Sequence, residues 1–229
     1  MANLFYDCIN LISLDLTSFN TSSIINMGHM FSNCNSLKSI NMPNSKASSA
    51  KYVDNMFYGC SSLTYLDLGY LDSTSFEDMS YMFFGCTSLK FINFSNFKTN
   101  SVKYLNHMFY ECSSLESLDL NNFNTSLVNN MEYMLYSCKN LKSLNISKFD
   151  TSLVSNLANM FYECNSLKSL DLSNFNTSSS EDMSYMSYNC YSLESLEIYN
   201  FITYSIEDIS TIFSLFKNTQ IFEKIKGLK

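Results

Sequence analysis

The chain has 229 residues, 46% of them hydrophobic, 15% charged, a formal net charge of −7, no Trp and a single Pro. Such a composition excludes a disordered polymer, because it supplies enough apolar surface to offset ordering entropy. It argues against a nucleic-acid partner, which would need clustered Lys and Arg, and no run of about 18 apolar residues marks a membrane helix.

The eight cysteines, Cys8, Cys34, Cys60, Cys86, Cys112, Cys138, Cys164 and Cys190, recur every 26 residues without insertion. A fixed period in that range is the signature of stacked structural repeats, and strict constancy favours a solenoid.

Taken in chain order, each unit begins with a strand. Apolar residues stand three, six and eight positions after the cysteine, as in Leu115, Leu118, Leu120 and in Leu167, Leu170, Leu172. This L-x-x-L-x-L spacing is the strand of a leucine-rich repeat. A Phe follows at the eleventh position (Phe97, Phe123, Phe149, Phe175), a Thr or small residue at the thirteenth, and a β-branched residue at the sixteenth (Val102, Val128, Val154). That stretch reads as a short second strand or extended edge. The period then changes: Met131, Met134, Leu135 and Cys138 fall at i, i+3, i+4 and i+7, as do Met79, Met82, Phe83 and Cys86. Such spacing predicts one face of a two-turn helix, with Asn26, Asp78, Asn130, Asn156 and Asp182 as N-caps.

One unit cannot bury both its strand leucines and its Met/Phe stripe, whereas stacked units can. The expectation is an α/β leucine-rich-repeat solenoid over residues 1–205. It has about eight coils, a parallel sheet on one face and short helical segments on the other. Residues 206–229 read as a degenerate repeat or C-terminal cap, with Phe216 where a ninth cysteine would stand. MANLFYDCIN (1–10) has no basic stretch leading into an apolar one, so no signal peptide is visible. The chain opens inside a helical stripe, which suggests a fragment with uncapped apolar ends able to associate end to end.

The phrase MFYECNSLKSLDLSNFNTS (160–178), with copies starting at 56, 82 and 108, resembles the 26-residue repeat of BspA-like leucine-rich-repeat surface proteins. The resemblance covers about residues 3–205. It implies a surface-exposed or secreted chain acting in adhesion or protein binding. It implies no catalytic residues.

Function in a solenoid lies in columns of equivalent residues. A cysteine column at strand spacing neither pairs as disulfides nor converges on a metal. The only histidines, His29 and His107, sit in the exposed part of the helical segment. Each thiol therefore reads as a small apolar filler. The threonines Thr99, Thr125, Thr151 and Thr177 are expected to satisfy buried backbone groups. The tyrosines Tyr58, Tyr110, Tyr136, Tyr162 and Tyr188 should form an aromatic ladder over the convex surface, with a sticky binding stripe as the other reading. Asp15, Asn41, Asp67, Asn93, Asp119, Asn145, Asp171 and Glu197 alternate acid with amide along the strands. That alternation separates like charges; an acidic ribbon for a basic or carbohydrate partner is the functional alternative, and weak calcium binding the poorest.

Two positions earlier most coils carry Ser, but coils three and four carry Tyr65 and Phe91. Adjacent exposed aromatics with a polar surround have the composition of an interaction hot spot. The candidate binding face is accordingly Tyr65, Asp67, Phe91, Asn93, Ser117, Asp119, Asn145 and Asp171, with no catalytic, cofactor or metal residues. The expected ligand is a protein or glycoprotein, reached from the cell surface or, alternatively, as an intracellular scaffold. Coil two (MPNSKASSA, 42–50) should be kinked, and Asn20, Asn93, Asn124, Asn145 and Asn176 head N-x-S/T sequons.

Overall fold

A computed structural model describes residues 1–42, 47–199 and 201 of the chain. These residues wind into a β-solenoid of about seven turns of about 26 residues, and those turns join eight strands, one from each repeat. The expected C-terminal cap and the Pro-containing part of the coil-two turn lie outside the described residues.

Each coil contributes one three-residue strand: β1 (Ser13–Asp15), β2 (Ser39–Asn41), β3 (Tyr65–Asp67), β4 (Phe91–Asn93), β5 (Ser117–Asp119), β6 (Ser143–Asn145), β7 (Ser169–Asp171) and β8 (Ser195–Glu197). They pair in parallel as β1–β2, β3–β4, β5–β6 and β7–β8, always in the register of the repeat, with Leu66 opposite Ile92 and Leu118 opposite Leu144. The middle residue points inward and its neighbours outward, as the two-residue pleat requires. A second parallel ladder runs along another side of the coil, one residue per turn: Asn26, Tyr52, Asp78, Tyr104, Asn130, Asn156 and Asp182. It lies two residues beyond Val102, Val128 and Val154, at the positions expected to begin the helix.

The helical segments are not there. Among the described residues no helix occurs, although Met131, Met134, Leu135 and Cys138 are all fully buried on the expected spacing. The backbone shows why. Residues five and one before each cysteine have positive φ, as at His107 (57°) and Glu111 (57°), or Tyr133 (54°) and Ser137 (56°). A left-handed residue every fourth position turns a helix into a run of tight turns. Alternate amides then divide their bonds. Met30, Ser32 and Cys34 donate three residues back within the coil, whereas Met27, His29, Phe31 and Asn33 donate to Tyr52, Asp54, Met56 and Tyr58 of the next coil. The predicted N-caps keep their chemistry without the helix. The side-chain oxygens of Asn26, Asp78, Asn130, Asn156 and Asp182 each accept the amide N–H two residues on, at 2.7–2.9 Å.

Inside, equivalent side chains stack on themselves. Phe5, Phe31, Phe57, Phe83 and Phe109 form one column with ring centroids 5.3–5.7 Å apart. Seven of the cysteines are buried and all eight are free thiols. Each buried Sγ–H donates to a carbonyl of the preceding coil, Cys60 to Phe31 at 3.2 Å and Cys112 to Phe83 at 3.1 Å. The cysteine is thus a filler, as expected, and also a weak donor that ties coil to coil.

Thr99, Thr125 and Thr151 do what the sequence implied. Thr125 Oγ1 donates to the Asp150 carbonyl and accepts the Asp150 N–H, both at 2.8 Å; Thr99 and Thr151 donate likewise to Asn124 and Asn176. Thr125→Val keeps the shape but removes both bonds. It is expected to cost about 1–3 kcal/mol, since a buried donor and acceptor lose their partner. Thermal unfolding of the variant beside wild type measures this, and an unchanged midpoint would refute the role.

Candidate interaction face

The strands present a face of Ser and Asx residues, with Glu197 on β8 and two aromatics as the exceptions. Tyr65 and Phe91 lie opposite each other in register on β3 and β4 and are 52% and 47% exposed. The Tyr65 phenol is held above its ordinary range, first by desolvation and then by the charge of Asp67 two residues on. Ser117, Asp119 and Asp171 are exposed, and Asp67, Asn93 and Asn145 half-buried. The structure therefore brings Tyr65, Asp67, Phe91 and Asn93 together as one patch. Ser117 and Asp119 follow on β5, Asn145 on β6 and Asp171 on β7, along the same face.

The acid–amide column has a structural use. Asp67 Oδ1 accepts the Gly69 N–H at 2.8 Å and the Asn93 amide at 2.9 Å. Asp15, Asn93, Asp119, Asn145 and Asp171 likewise accept the amide two residues on. Asp and Asn offer the same oxygen for this turn, so the column tolerates either. At Asp171 the bonds from Ser173 hold the carboxyl below its ordinary range. Carboxylates occupied by their own turns do not converge, and among the described residues no cluster of three or more His, Cys, Asp or Glu side chains could hold a metal ion.

The same turn accounts for the sequons. Asn20, Asn93, Asn124, Asn145 and Asn176 all accept the N–H of the Ser two places on. At equivalent corners the chain has D-x-S/T instead, with identical bonds from Thr74 to Asp72 and from Ser152 to Asp150. A motif that works equally with Asp is selected by the turn.

Sequence reasoning missed Tyr70, which is 67% exposed beside this patch. Its signal was available. Tyr70 occupies a position where Asn96 and Asn122 donate to carbonyls of the preceding coil, at 3.1 and 3.0 Å. An aromatic in an Asn column has no such duty. His107, expected to be exposed, is instead half-buried, sandwiched between Tyr81 and Tyr133 at 4.4 and 4.7 Å. Burial holds its imidazole below the ordinary range, with Glu132 opposing. The expected tyrosine ladder is present: Tyr58, Phe84, Tyr110, Tyr136, Tyr162 and Tyr188 stack at 4.4–5.2 Å.

Repeat, register and coil together define a leucine-rich-repeat solenoid. The chain belongs to the family described as "Mycoplasma protein of unknown function, DUF285", whose model matches residues 1–90, 52–145 and 112–225. Among solved structures it is similar to a leucine-rich repeat protein from Eubacterium ventriosum. That likeness has 19% identity and a TM-score of 0.41 over 88% of this chain and 45% of that one. Another, from Bacteroides ovatus, has 18% identity and a TM-score of 0.23 over 86% of this chain and 75% of that one. The chain thus spans less than half the length of the Eubacterium ventriosum protein. No curated protein matches it. Among the described residues no helix is long and apolar enough to cross a membrane.

Proposed function

We propose that this repeat module is a non-enzymatic adhesion segment of a cell-surface protein, recognising a protein or glycoprotein through its strand face. A leucine-rich-repeat solenoid is a protein-interaction type of scaffold, and the surface role follows the BspA-like resemblance. The observation that carries the site is the in-register pair Tyr65 and Phe91, half exposed and flanked by Tyr70 on an otherwise polar face. Rigid aromatics offer large contact area at low entropic cost, and a polar surround excludes water from their edges. Asp67, Asn93, Ser117, Asp119, Asn145 and Asp171 form that surround.

The test is capture from host-cell or self-cell extracts by immobilised wild type and by the Tyr65→Ala/Phe91→Ala double variant. Loss of two hot-spot anchors, each worth about 2 kcal/mol or more, is expected to reduce capture at least about tenfold. The melting temperature should not change, because both side chains leave the core untouched. Equal capture by the two proteins would remove this patch from the function.

A further inference from the structure

Beside the Tyr58–Tyr188 ladder runs a second column, five residues before each cysteine, with rings at His29, Tyr81, His107, Tyr133 and Tyr185 and Asn at Asn3, Asn55 and Asn159. Tyr81, His107 and Tyr133 stack there at 4.4 and 4.7 Å. The next rung is Asn159, and the column resumes at Tyr185. With one ring missing, Tyr133 and Tyr185 stand two coils apart, about 9–10 Å, which leaves room for one stacked ring between them. The gap is a recess of 460 Å³ floored by Asn159 and flanked by Tyr136, Tyr162 and Tyr188. Tyr185 closes the far side; it is 43% exposed and stands at 78° to Tyr188.

Asn159 is 9% exposed, and its backbone is bonded to Ser184 and Tyr162. Its side chain lines the recess. We propose that this recess is a binding site for an aromatic ring with a polar edge, which stacks on the open face of Tyr133 and hydrogen-bonds the Asn159 amide. The ring restores the missing rung. Offset stacking at this separation is the preferred aromatic geometry, and the neighbouring rungs set the plane in advance. The site lies on the turn segments and not on the strands, so it is separate from the Tyr65–Phe91 patch.

The chain contains no Trp, so an indole probe reports on its own environment. The experiment is a fluorescence titration of N-acetyl-tryptophanamide, and of blocked Ala-Trp-Ala, with the whole chain. Saturable binding is expected with a dissociation constant of order 1 mM, as suits one small ring. Tyr133→Ala should weaken it at least about fivefold, the size of a lost stacking contact. Asn159→Tyr should abolish it, because the side chain fills the gap. That backbone position suits the change: Asn159 has φ 57°, against 58° for Tyr81 and 54° for Tyr133 and Tyr185. Should Asn159→Tyr lower the melting temperature, Asn159→His gives the same readout, since His107 already fills the equivalent rung two coils earlier. Tighter binding of Ala-Trp-Ala assigns the ring to a partner's side chain, and equal binding to any small aryl compound. The proposal falls if both Asn159 variants bind as wild type does, or if methyl β-D-glucoside binds as well as the indole. Absence of saturation up to about 10 mM probe would also overturn it. Tyr65→Ala/Phe91→Ala should leave this binding intact, so failure of either site is read separately.

Discussion

Raising the pH from about 8 to about 10.5 is expected to melt this solenoid, with a fall in melting temperature of about 20 °C or more. Seven thiols, Cys34 to Cys190, are buried. Burial pushes Cys34 up to about 11 and Cys86 and Cys190 up to about 12, from an ordinary value of 9.0. Cys60, Cys112, Cys138 and Cys164 are also raised, above all by burial. In the unfolded chain each thiol ionises near its ordinary value. A folded pKa that is raised leaves stability whole below the unfolded value and removes it as the pH climbs toward the folded one. Within that window each such thiol costs about 1.4 kcal/mol per pH unit. Four of the seven would remove about 5–6 kcal/mol per unit, comparable with the net stability of an ordinary domain, about 5–15 kcal/mol. Circular dichroism melts across this range check the expectation. The Cys112→Ala/Cys138→Ala variant should show a shallower slope, whatever its stability at neutral pH. Near pH 8 a thiol reagent should label the half-buried Cys8 in the native protein and the other seven only on denaturation. A melting temperature flat to about pH 10.5 would refute the account.

The second large effect is expected at the centre of the phenylalanine column. Phe109 is fully buried, stacks on Phe83 at 5.4 Å and meets Phe94 edge-on at 6.3 Å. Its carbonyl also accepts the Cys112 N–H and the Cys138 thiol. Phe109→Ala should cost about 3–5 kcal/mol, from lost transfer energy and a cavity that stacked coils cannot close. That is a fall of about 10 °C for a chain this size. Phe109→Leu should cost less than about 1.5 kcal/mol, because the next coil already carries a fully buried Leu135 in the same column. Denaturant midpoints at constant slope measure both. Equal losses for Ala and Leu would show that the ring's fit, and not the filling of volume, decides the cost.

Tyr65 and Phe91 were legible as a break in a Ser column, because a strand of known phase fixes which side chains face outward. Tyr70 was equally visible as a break in an Asn column, but its meaning needed the bonds of Asn96 and Asn122 to the coil before. The recess at Asn159 was not legible. Asn is an ordinary residue in this chain, and its significance comes from rings two coils apart that only stacking brings together.

The sequence by itself determined the period, the strand phase, the parallel register and the contents of each buried column. A repeat without insertions carries every side chain onto its own copy, so one unit's pattern specifies the whole core. Tertiary structure alone decided the conformation of the Met/Phe segment. Burial at i, i+3, i+4 and i+7 is common to a helix and to successive tight turns with a left-handed residue every fourth position. What separates them is where the amides go. A helix would satisfy them within the coil, whereas here every second amide from Met27 to Asn33 reaches the coil that follows, and that partner exists only once the coils are stacked.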